Sequence, residues 1–169
     1  AYVSCQDYTN GYYNALGALA REQVDFVVHL GDYIYEYASG QYGEVRPYEP
    51  LNEIVSLEDY RTRYGQYRRD VDLQEMHRQH PVVAVWDDHE SANNSYKDGA
   101  ENHQPEEGDY QERKATAIRT YYNWMPLRER FPRDENTLAP DPREVIYRDF
   151  QVGDLCSLIM LDTRIVGRD

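Results

Sequence analysis

The sequence predicts an α/β domain, because short apolar runs alternate along the chain with segments of helical periodicity. Two of these runs, at residues 24–30 and 82–86, are rich in valine, which is typical of strands buried on both faces of a sheet. The predicted order is β-α-β-loop-α-β-loop-α-β-β. This order favours helices packed on a mixed sheet, and no linker divides residues 1–169.

The first half of the chain contains three predicted strands, at residues 2–5, 24–30 and 82–86. A helix is predicted over 11–23, where apolar residues recur at helical spacing. A second helix is predicted over 57–80. It begins after a Ser56 cap with Asp59 three positions on, and Pro81 ends it. Residues 33–56 contain prolines and glycines and are predicted to form a long loop.

The second half is predicted to contain one helix and a pair of strands. A polar, mobile loop is expected over 91–108, a helix over 109–125 that ends before Pro126, and a proline-containing loop over 127–142. Residues 145–150 and 155–161 are two strands joined at Gly153-Asp154, which indicates an antiparallel hairpin.

The charge of the chain limits its partners. Its 169 residues carry a net charge of −13, with Lys97 and Lys114 as the only lysines, so nucleic acid and anionic membranes are repelled. No run of 18 apolar residues is present, and no membrane span is expected. A phosphate substrate would also be repelled unless cations lie in the binding site. The chain begins at Ala1, so we expect that an upstream segment was removed or not included.

The two cysteines, Cys5 and Cys156, do not form a disulfide framework. Cys156 lies in the apolar run 155–161 and is predicted to be a buried strand residue. Cys5 has more polar neighbours, and the residues alone leave it open as a ligand, a reactive thiol or a buried thiol.

Carboxylates follow two of the predicted buried strands at the point where each strand ends. Gly31-Asp32 follows the strand at 24–30, and Asp87-Asp88-His89 follows the strand at 82–86. Ligands collect beyond the carboxyl ends of strands in α/β sheets, and neighbouring strands lie about 5 Å apart. Acidic groups that meet there would repel each other strongly, and one or two multivalent cations would relieve this repulsion. Asp32 is the natural bridging ligand, and Gly31 allows the sharp turn before it.

Each of these residues also has an ordinary structural explanation when it is taken singly. Asp32 fits a helix cap, Asp88 a turn, and Tyr35 is one of 17 tyrosines. His29 and Trp86 lie within strands and are predicted to be core residues. The combination of two strand-end motifs favours a metal site, because the ordinary explanations do not account for both motifs together.

These motifs resemble signature blocks of the PhoD-type alkaline phosphatases, and the resemblance spans essentially the whole chain. The two most specific blocks are Gly-Asp-Tyr-Ile-Tyr-Glu-Tyr at 31–37 and Trp-Asp-Asp-His-Glu at 86–90. The other matching blocks are Ser-Cys-Gln at 4–6, Asp-Tyr-Arg at 59–61, Asn-Asn at 93–94, Met-Pro-Leu-Arg at 125–128 and Leu-Asp-Thr-Arg at 161–164.

The resemblance implies a calcineurin-like metallophosphoesterase sandwich, in which two mixed β-sheets are flanked by helices. It also implies hydrolysis of phosphomonoesters and phosphodiesters with ferric iron (Fe3+) and calcium (Ca2+), with other divalent cations as an alternative. Family members are exported, often through the twin-arginine route, so a secreted, periplasmic or cell-surface location is expected.

The resemblance also implies roles for single residues. Cys5, Asp32 and Tyr35 would bind iron, and Asp32 would bridge to a second metal ion. Asp88 occupies the place of a metal-binding asparagine in related phosphoesterases, and His89 would contact phosphate or protonate the leaving group. Arg46, in a Gly-x-Val-Arg stretch, resembles a phosphate-binding arginine.

The chain also departs from the family pattern. Family members continue beyond the Leu-Asp-Thr-Arg block to a Gly-Asp-x-His-type motif that completes the metal site, and residues 1–169 contain no such motif. We therefore expect this chain to be the N-terminal part of a single catalytic domain, without its C-terminal part. Either a further segment supplies the remaining ligands, or the isolated fragment is inactive.

The expected reaction is hydrolysis of a phosphate ester by a metal-activated hydroxide, with Arg46 on the equatorial oxygens and His89 as the proton donor. Within this class, diester or phospholipid substrates compete with monoesters. Two alternatives from other classes are a non-catalytic metal- or phosphate-binding module and a structural half that pairs with a second polypeptide.

Overall fold

The computed structural model describes residues 1–128, 145–166 and 168. Three short parallel strands form its central sheet in the order β1-β2-β3, with β1 at Tyr2–Val3, β2 at Val27–His29 and β3 at Val82–Ala84. The register pairs Val3 with His29 and His29 with Ala84, so the three strands end at one level. The α/β class predicted from the sequence is confirmed, and each of these strands lies within its predicted range.

In the part of the chain that the structure describes, four α-helices connect or cover the strands: α1 at Asn14–Leu19, α2 at Leu57–Tyr67, α3 at Val71–Gln79 and α4 at Tyr110–Trp124. The predicted Ser56 cap is confirmed, because Ser56 and Asp59 form a reciprocal capping box. The single helix predicted over 57–80 is wrong. Asp70 accepts hydrogen bonds from the backbone of Asp72 and Leu73, and this cap starts a second helix.

The predicted antiparallel hairpin is confirmed as β4 at Arg148–Val152 and β5 at Cys156–Met160. It forms a separate two-stranded sheet, so the parallel strands and the hairpin do not share one mixed sheet in the described residues. Cys156 is exposed, and its predicted burial is wrong. It lies beside the turn, whereas Met160 at the other end of β5 reaches the core.

Tyrosines fill much of the core around α2. Tyr60, Tyr64 and Tyr67 of this helix are fully buried, as is Tyr48 of the preceding loop. His29 and Trp86 are buried as predicted. Among the described residues, no helix combines the length and apolar character needed to cross a membrane.

The loop over 91–108 is held to the protein at several points, and its mobility stays a prediction. Ser91, Ala92 and Ser95 are buried, and a short 3₁₀ helix spans Pro105–Glu107. From residue 129 on, the loop predicted over 127–142 lies outside the described residues.

Gly31 connects β2 to the first strand-end carboxylate in a conformation that favours glycine. Its φ is +111°, and a Cβ atom added there would lie 2.3 Å from the backbone nitrogen of Asp87. The sharp turn expected at Gly31 is therefore confirmed.

Replacing Gly31 with alanine is expected to destabilise the protein by more than the same change at Gly40. Gly40 also has a positive φ, of +82°, but a Cβ atom there would meet nothing within 4 Å. Gly40→Ala should lower the free energy of unfolding by about 1 kcal/mol, and Gly31→Ala by about 3 kcal/mol or more, because backbone must also move. Urea unfolding of both variants measures this, and equal losses would contradict it.

Candidate metal centre

The parallel register brings the residues that follow β1, β2 and β3 to one edge of the sheet. Backbone pairing continues past the strands, since the amides of Cys5 and Gln6 donate to the carbonyls of Gly31 and Asp32, at 3.1 Å each. Asp87 packs against Gly31 from the other side. The chain segments that carry Cys5, Asp32 and Asp88 are therefore neighbours because their strands are neighbours.

Asp32 lies at the centre of this edge and is 6% exposed. One of its carboxylate oxygens, Oδ2, accepts from the Cys5 thiol at 3.3 Å and from the Tyr35 hydroxyl at 3.5 Å. The other oxygen, Oδ1, is buried and has no hydrogen-bond partner. Cys5 and Asp32 both have a φ of +56°, a conformation that is uncommon for residues other than glycine, although aspartate adopts it more readily than most.

Asp88 and His89 complete a buried cluster with Asp32. One potential ligand atom from each of the three residues lies within 4.8 Å of the others. Both oxygens of Asp88 also have protein partners, because Oδ2 accepts from the Asn94 amide at 2.5 Å and Oδ1 lies 3.3 Å from Arg164. The sequence predicted all three residues, and the structure brings them together.

Electrostatics at this cluster disfavour an unneutralised charge on Asp32. Burial raises the pKa of Asp32, and the charges of Asp88 and Asp87 raise it further, while His89 and the Cys5 hydrogen bond act in the opposite direction. Partial desolvation raises the pKa of the thiol of Cys5, although the residue as a whole is exposed, and burial raises the pKa of the Tyr35 phenol. A cation would favour the charged forms of all three groups.

His89 is held by a buried carboxylate that the sequence analysis gave no role. Its Nδ1 lies 2.7 Å from Oε2 of Glu36, and its ring stacks on Tyr35 with 4.2 Å between ring centroids. Burial lowers the pKa of His89, but the hydrogen bond and charge of Glu36, with the charges of Asp32 and Asp88, outweigh burial and raise the pKa to about 9.

Glu90 joins the two strand-end turns and was also missed as a positioning residue. It is 3% exposed, and its two oxygens accept from the backbone amides of Tyr33, at 2.7 Å, and Asp87, at 2.9 Å. Burial raises its pKa to about 8, and the charge of Asp32 contributes to this shift. Its place directly after the Asp-Asp-His run is the only sequence signal for this role.

Arg164 reaches the cluster from the segment that follows β5. It donates to both oxygens of Asp87, at 2.5 and 3.2 Å, and its guanidinium lies 3.3 Å from Asp88. The Leu-Asp-Thr-Arg block therefore contributes a cation that fixes the orientation of Asp87, beside the ligand candidate Asp88.

Arg46 lies in a different set of contacts from the carboxylate cluster. Its guanidinium forms an ion pair with Asp70 at 2.6 Å, donates to the Tyr8 carbonyl at 3.0 Å, and covers the Tyr8 ring at 3.6 Å. These contacts explain its burial. Its assignment to phosphate binding stays a prediction.

The donor atoms at this edge suit multivalent cations. The carboxylates of Asp32 and Asp88 are hard oxygen donors, while the thiol of Cys5 and the phenol of Tyr35 suit iron or zinc. The unpartnered Oδ1 of Asp32 provides the observation that favours a ligand, because a buried carboxylate oxygen without a hydrogen bond is costly unless a cation neutralises it. An open groove is lined in part by Cys5, Tyr35 and Tyr42.

Comparisons with known proteins identify the family of this chain. The family model described as PhoD-like phosphatase matches residues 1–169. Alkaline phosphatase D of Bacillus subtilis (strain 168) is 43% identical over 172 residues, which cover 97% of this chain and 27% of that protein. A solved structure titled "Structure of PhoD" superposes on this chain with a TM-score of 0.82 at 40% sequence identity. The match covers 97% of this chain and 31% of the chain in that structure. This chain thus spans less than a third of either protein, and it belongs to the PhoD-like phosphatase family.

Proposed function

We propose that this chain is the N-terminal part of the catalytic domain of an exported phosphoesterase that hydrolyses phosphate monoesters and diesters with multivalent cations. A further segment completes the metal site. The proposal includes ferric iron at Cys5, Asp32 and Tyr35, and calcium shared by Asp32 and Asp88.

The observation that carries this proposal is the buried group formed by Asp32, Asp88 and His89 at the carboxyl ends of parallel strands. Two buried aspartates and one unpartnered carboxylate oxygen are unfavourable in a structural core. Such carboxylates are expected in a metal site, where cations neutralise them and an anionic ester binds to the opposite side of the cations.

A bound cation would neutralise the phosphate oxygens and lower the pKa of a coordinated water toward neutrality. The residues of this chain hold the other parts of the reaction in place. Hydrolysis adds the oxygen of water to phosphorus, breaks the ester P–O bond and requires a proton on the departing oxygen. His89 is the proton donor, because Glu36 holds its Nδ1 and leaves Nε2 for the substrate. Asp87, held by Arg164 and Glu90, fixes the turn that presents His89.

Elemental analysis and a phosphatase assay on the intact source protein test the proposal. The expected result is iron and calcium in the purified protein and hydrolysis of p-nitrophenyl phosphate or bis(p-nitrophenyl) phosphate that a chelator abolishes. Full activity in protein that contains no multivalent metal would contradict the proposal.

Tyr35 provides a spectroscopic test of the iron assignment. A phenolate bound to ferric iron should give a visible charge-transfer band, so Tyr35→Phe is expected to remove the colour. Tyr42→Phe is the matched control, because this half-exposed ring stacks on Tyr35 at 5.4 Å but lies outside the proposed ligand set. A Tyr35→Phe variant that keeps the band and its iron would show that Tyr35 is not the chromophore.

A further inference from the structure

The sequence contains a single asparagine that is followed directly by glycine, at Asn10-Gly11 in the loop between β1 and α1. Asn10 is exposed, and both residues line the groove that is also lined by Cys5 and Tyr35. The backbone nitrogen of a glycine approaches the side chain of a preceding asparagine readily, because glycine has no Cβ atom to hinder it. The pair is therefore open to a reaction between adjacent residues.

The two groups that would react are not held by competing hydrogen bonds. Among the residues that the structure describes, none bonds to the side-chain amide of Asn10 or accepts from the backbone amide of Gly11. A Cβ atom added at Gly11 would meet nothing within 4 Å, so the backbone has free space around it. No contact therefore has to break before the nitrogen of Gly11 turns toward Asn10.

The chain is anchored on both sides of this pair. Oδ1 of Asp7 accepts from the backbone amide of Asn10 at 3.0 Å, and the Tyr13 hydroxyl donates to the Gln6 carbonyl at 2.8 Å. The bonds that rotate in the reaction lie between these anchors, from Cα of Asn10 to the nitrogen of Gly11. The reaction is therefore compatible with the folded protein.

From these observations we propose that Asn10 is a site of spontaneous deamidation in the folded protein. Base removes the proton of the Gly11 amide, and the nitrogen attacks Cγ of Asn10. A bond from this nitrogen to Cγ forms, the bond from Cγ to the side-chain nitrogen breaks, and that nitrogen takes up a proton and leaves as ammonia. Water then opens the five-membered succinimide. Cleavage at Cγ gives aspartate, and cleavage at the backbone carbonyl carbon gives isoaspartate.

Either product adds a negative charge to the wall of the groove beside the candidate metal centre, because a carboxyl group is ionised at neutral pH. Isoaspartate also lengthens the main chain by one carbon atom just before Tyr12, whose ring lies 4.8 Å from the Arg46 guanidinium. The groove therefore changes in charge, and in part of the molecules also in shape, as the protein ages.

Peptide mapping by mass spectrometry of the intact source protein, kept folded in mildly alkaline buffer, tests the proposal. Asn10 should convert to aspartate and isoaspartate faster than the other asparagines. Asn52 and Asn94 are internal controls, because both are exposed but neither precedes glycine. Their side chains also donate hydrogen bonds, to the Glu53 carbonyl at 2.7 Å and to Glu101 at 2.5 Å. Intact Asn10 after the controls have reacted would overturn the proposal.

Gly11→Ala is the matched variant, because the added methyl group has free space in the fold but hinders attack by the nitrogen. It should slow the loss of Asn10 severalfold and leave urea unfolding nearly unchanged, while Asn10→Asp provides the standard for the product. Equal rates in wild type and Gly11→Ala, or deamidation only in urea-unfolded protein, would overturn the proposal. This test uses no phosphoesterase assay, so its outcome is separate from that of the proposed function.

Discussion

Replacing Asp32 with asparagine is expected to remove phosphoesterase turnover and metal binding together. The asparagine side chain keeps the shape and tolerates the φ of +56° at this position, but it cannot act as an anionic bridge between cations. We expect kcat/KM to fall by about 10³-fold or more, which corresponds to about 4 kcal/mol of lost transition-state stabilisation. Steady-state kinetics and elemental analysis of the intact source protein measure the two losses.

The same substitution is expected to leave the metal-free protein at least as stable as the wild type. Burial and the nearby aspartates raise the pKa of Asp32, so the folded metal-free state disfavours its charge, and the neutral amide relieves this. Asp25→Asn is the control, because Asp25 is exposed. A metal-free Asp32→Asn protein that is clearly less stable than wild type would show that Asp32 is structural. Retained turnover would contradict its metal role.

Replacing Arg63 with methionine is expected to produce the largest loss of stability among the substitutions considered. Arg63 is 0% exposed, lies over the Tyr48 ring and donates to five backbone carbonyls of the 33–56 loop. These carbonyls belong to Tyr35, Tyr37, Glu49, Pro50 and Asn52. Without the guanidinium, the buried Tyr35 carbonyl and the four partly buried carbonyls lose their donor, so the free energy of unfolding should fall by about 3–5 kcal/mol. The melting temperature should fall by about 10 °C or more.

Arg61→Met is the matched control for this prediction, since Arg61 lies two residues earlier on α2 and is exposed. Its substitution should change the free energy of unfolding by less than about 0.5 kcal/mol. Arg63→Lys should recover only part of the loss, because a single ammonium nitrogen cannot reach all five carbonyls. Thermal unfolding of the three variants measures these differences in stability. Equal stability of Arg63→Met and Arg61→Met would refute the predicted role of Arg63.

Arg63 also links the core to the candidate metal centre. It donates to the Tyr35 carbonyl, and Tyr35 contributes its hydroxyl to Asp32 and its ring to His89. The position of Tyr35 is therefore set by α2 as well as by β2. We expect Arg63→Met to weaken the visible band that the Tyr35 assignment predicts, even at temperatures where the variant is folded.

The motifs predicted the candidate metal centre better than they predicted the supporting residues. Asp32 and Asp88 were predictable because they follow apolar strands, and parallel strands in one register end at the same edge. Glu36 and Glu90 lie in the same motifs, but a sequence pattern does not show which donors a buried carboxylate meets. Arg63 gave no signal, because its partners are backbone carbonyls whose positions depend on the loop fold.

The parts of the fold that were predictable depend on interactions between residues close together in the chain. Helix α2 begins at its expected cap because Ser56 and Asp59 interact within one turn. The break at Asp70 was missed because capping by Asp70 competes with continuation of the helix, and the buried ion pair with Arg46 favours the cap. The exposure of Cys156 depends on where the hairpin lies against the rest of the protein, which apolar character alone does not give.

By itself, the sequence determined the α/β class, the strands of the central sheet, the family and the strand-end carboxylates, because periodicity and short motifs act over a few residues. Only the tertiary structure decided that Glu36 holds His89, that Glu90 joins two turns, that Arg164 reaches Asp87, and that Arg46 pairs with Asp70. These contacts join residues far apart in the chain, and burial, which makes each of them energetically significant, exists only once the chain has folded.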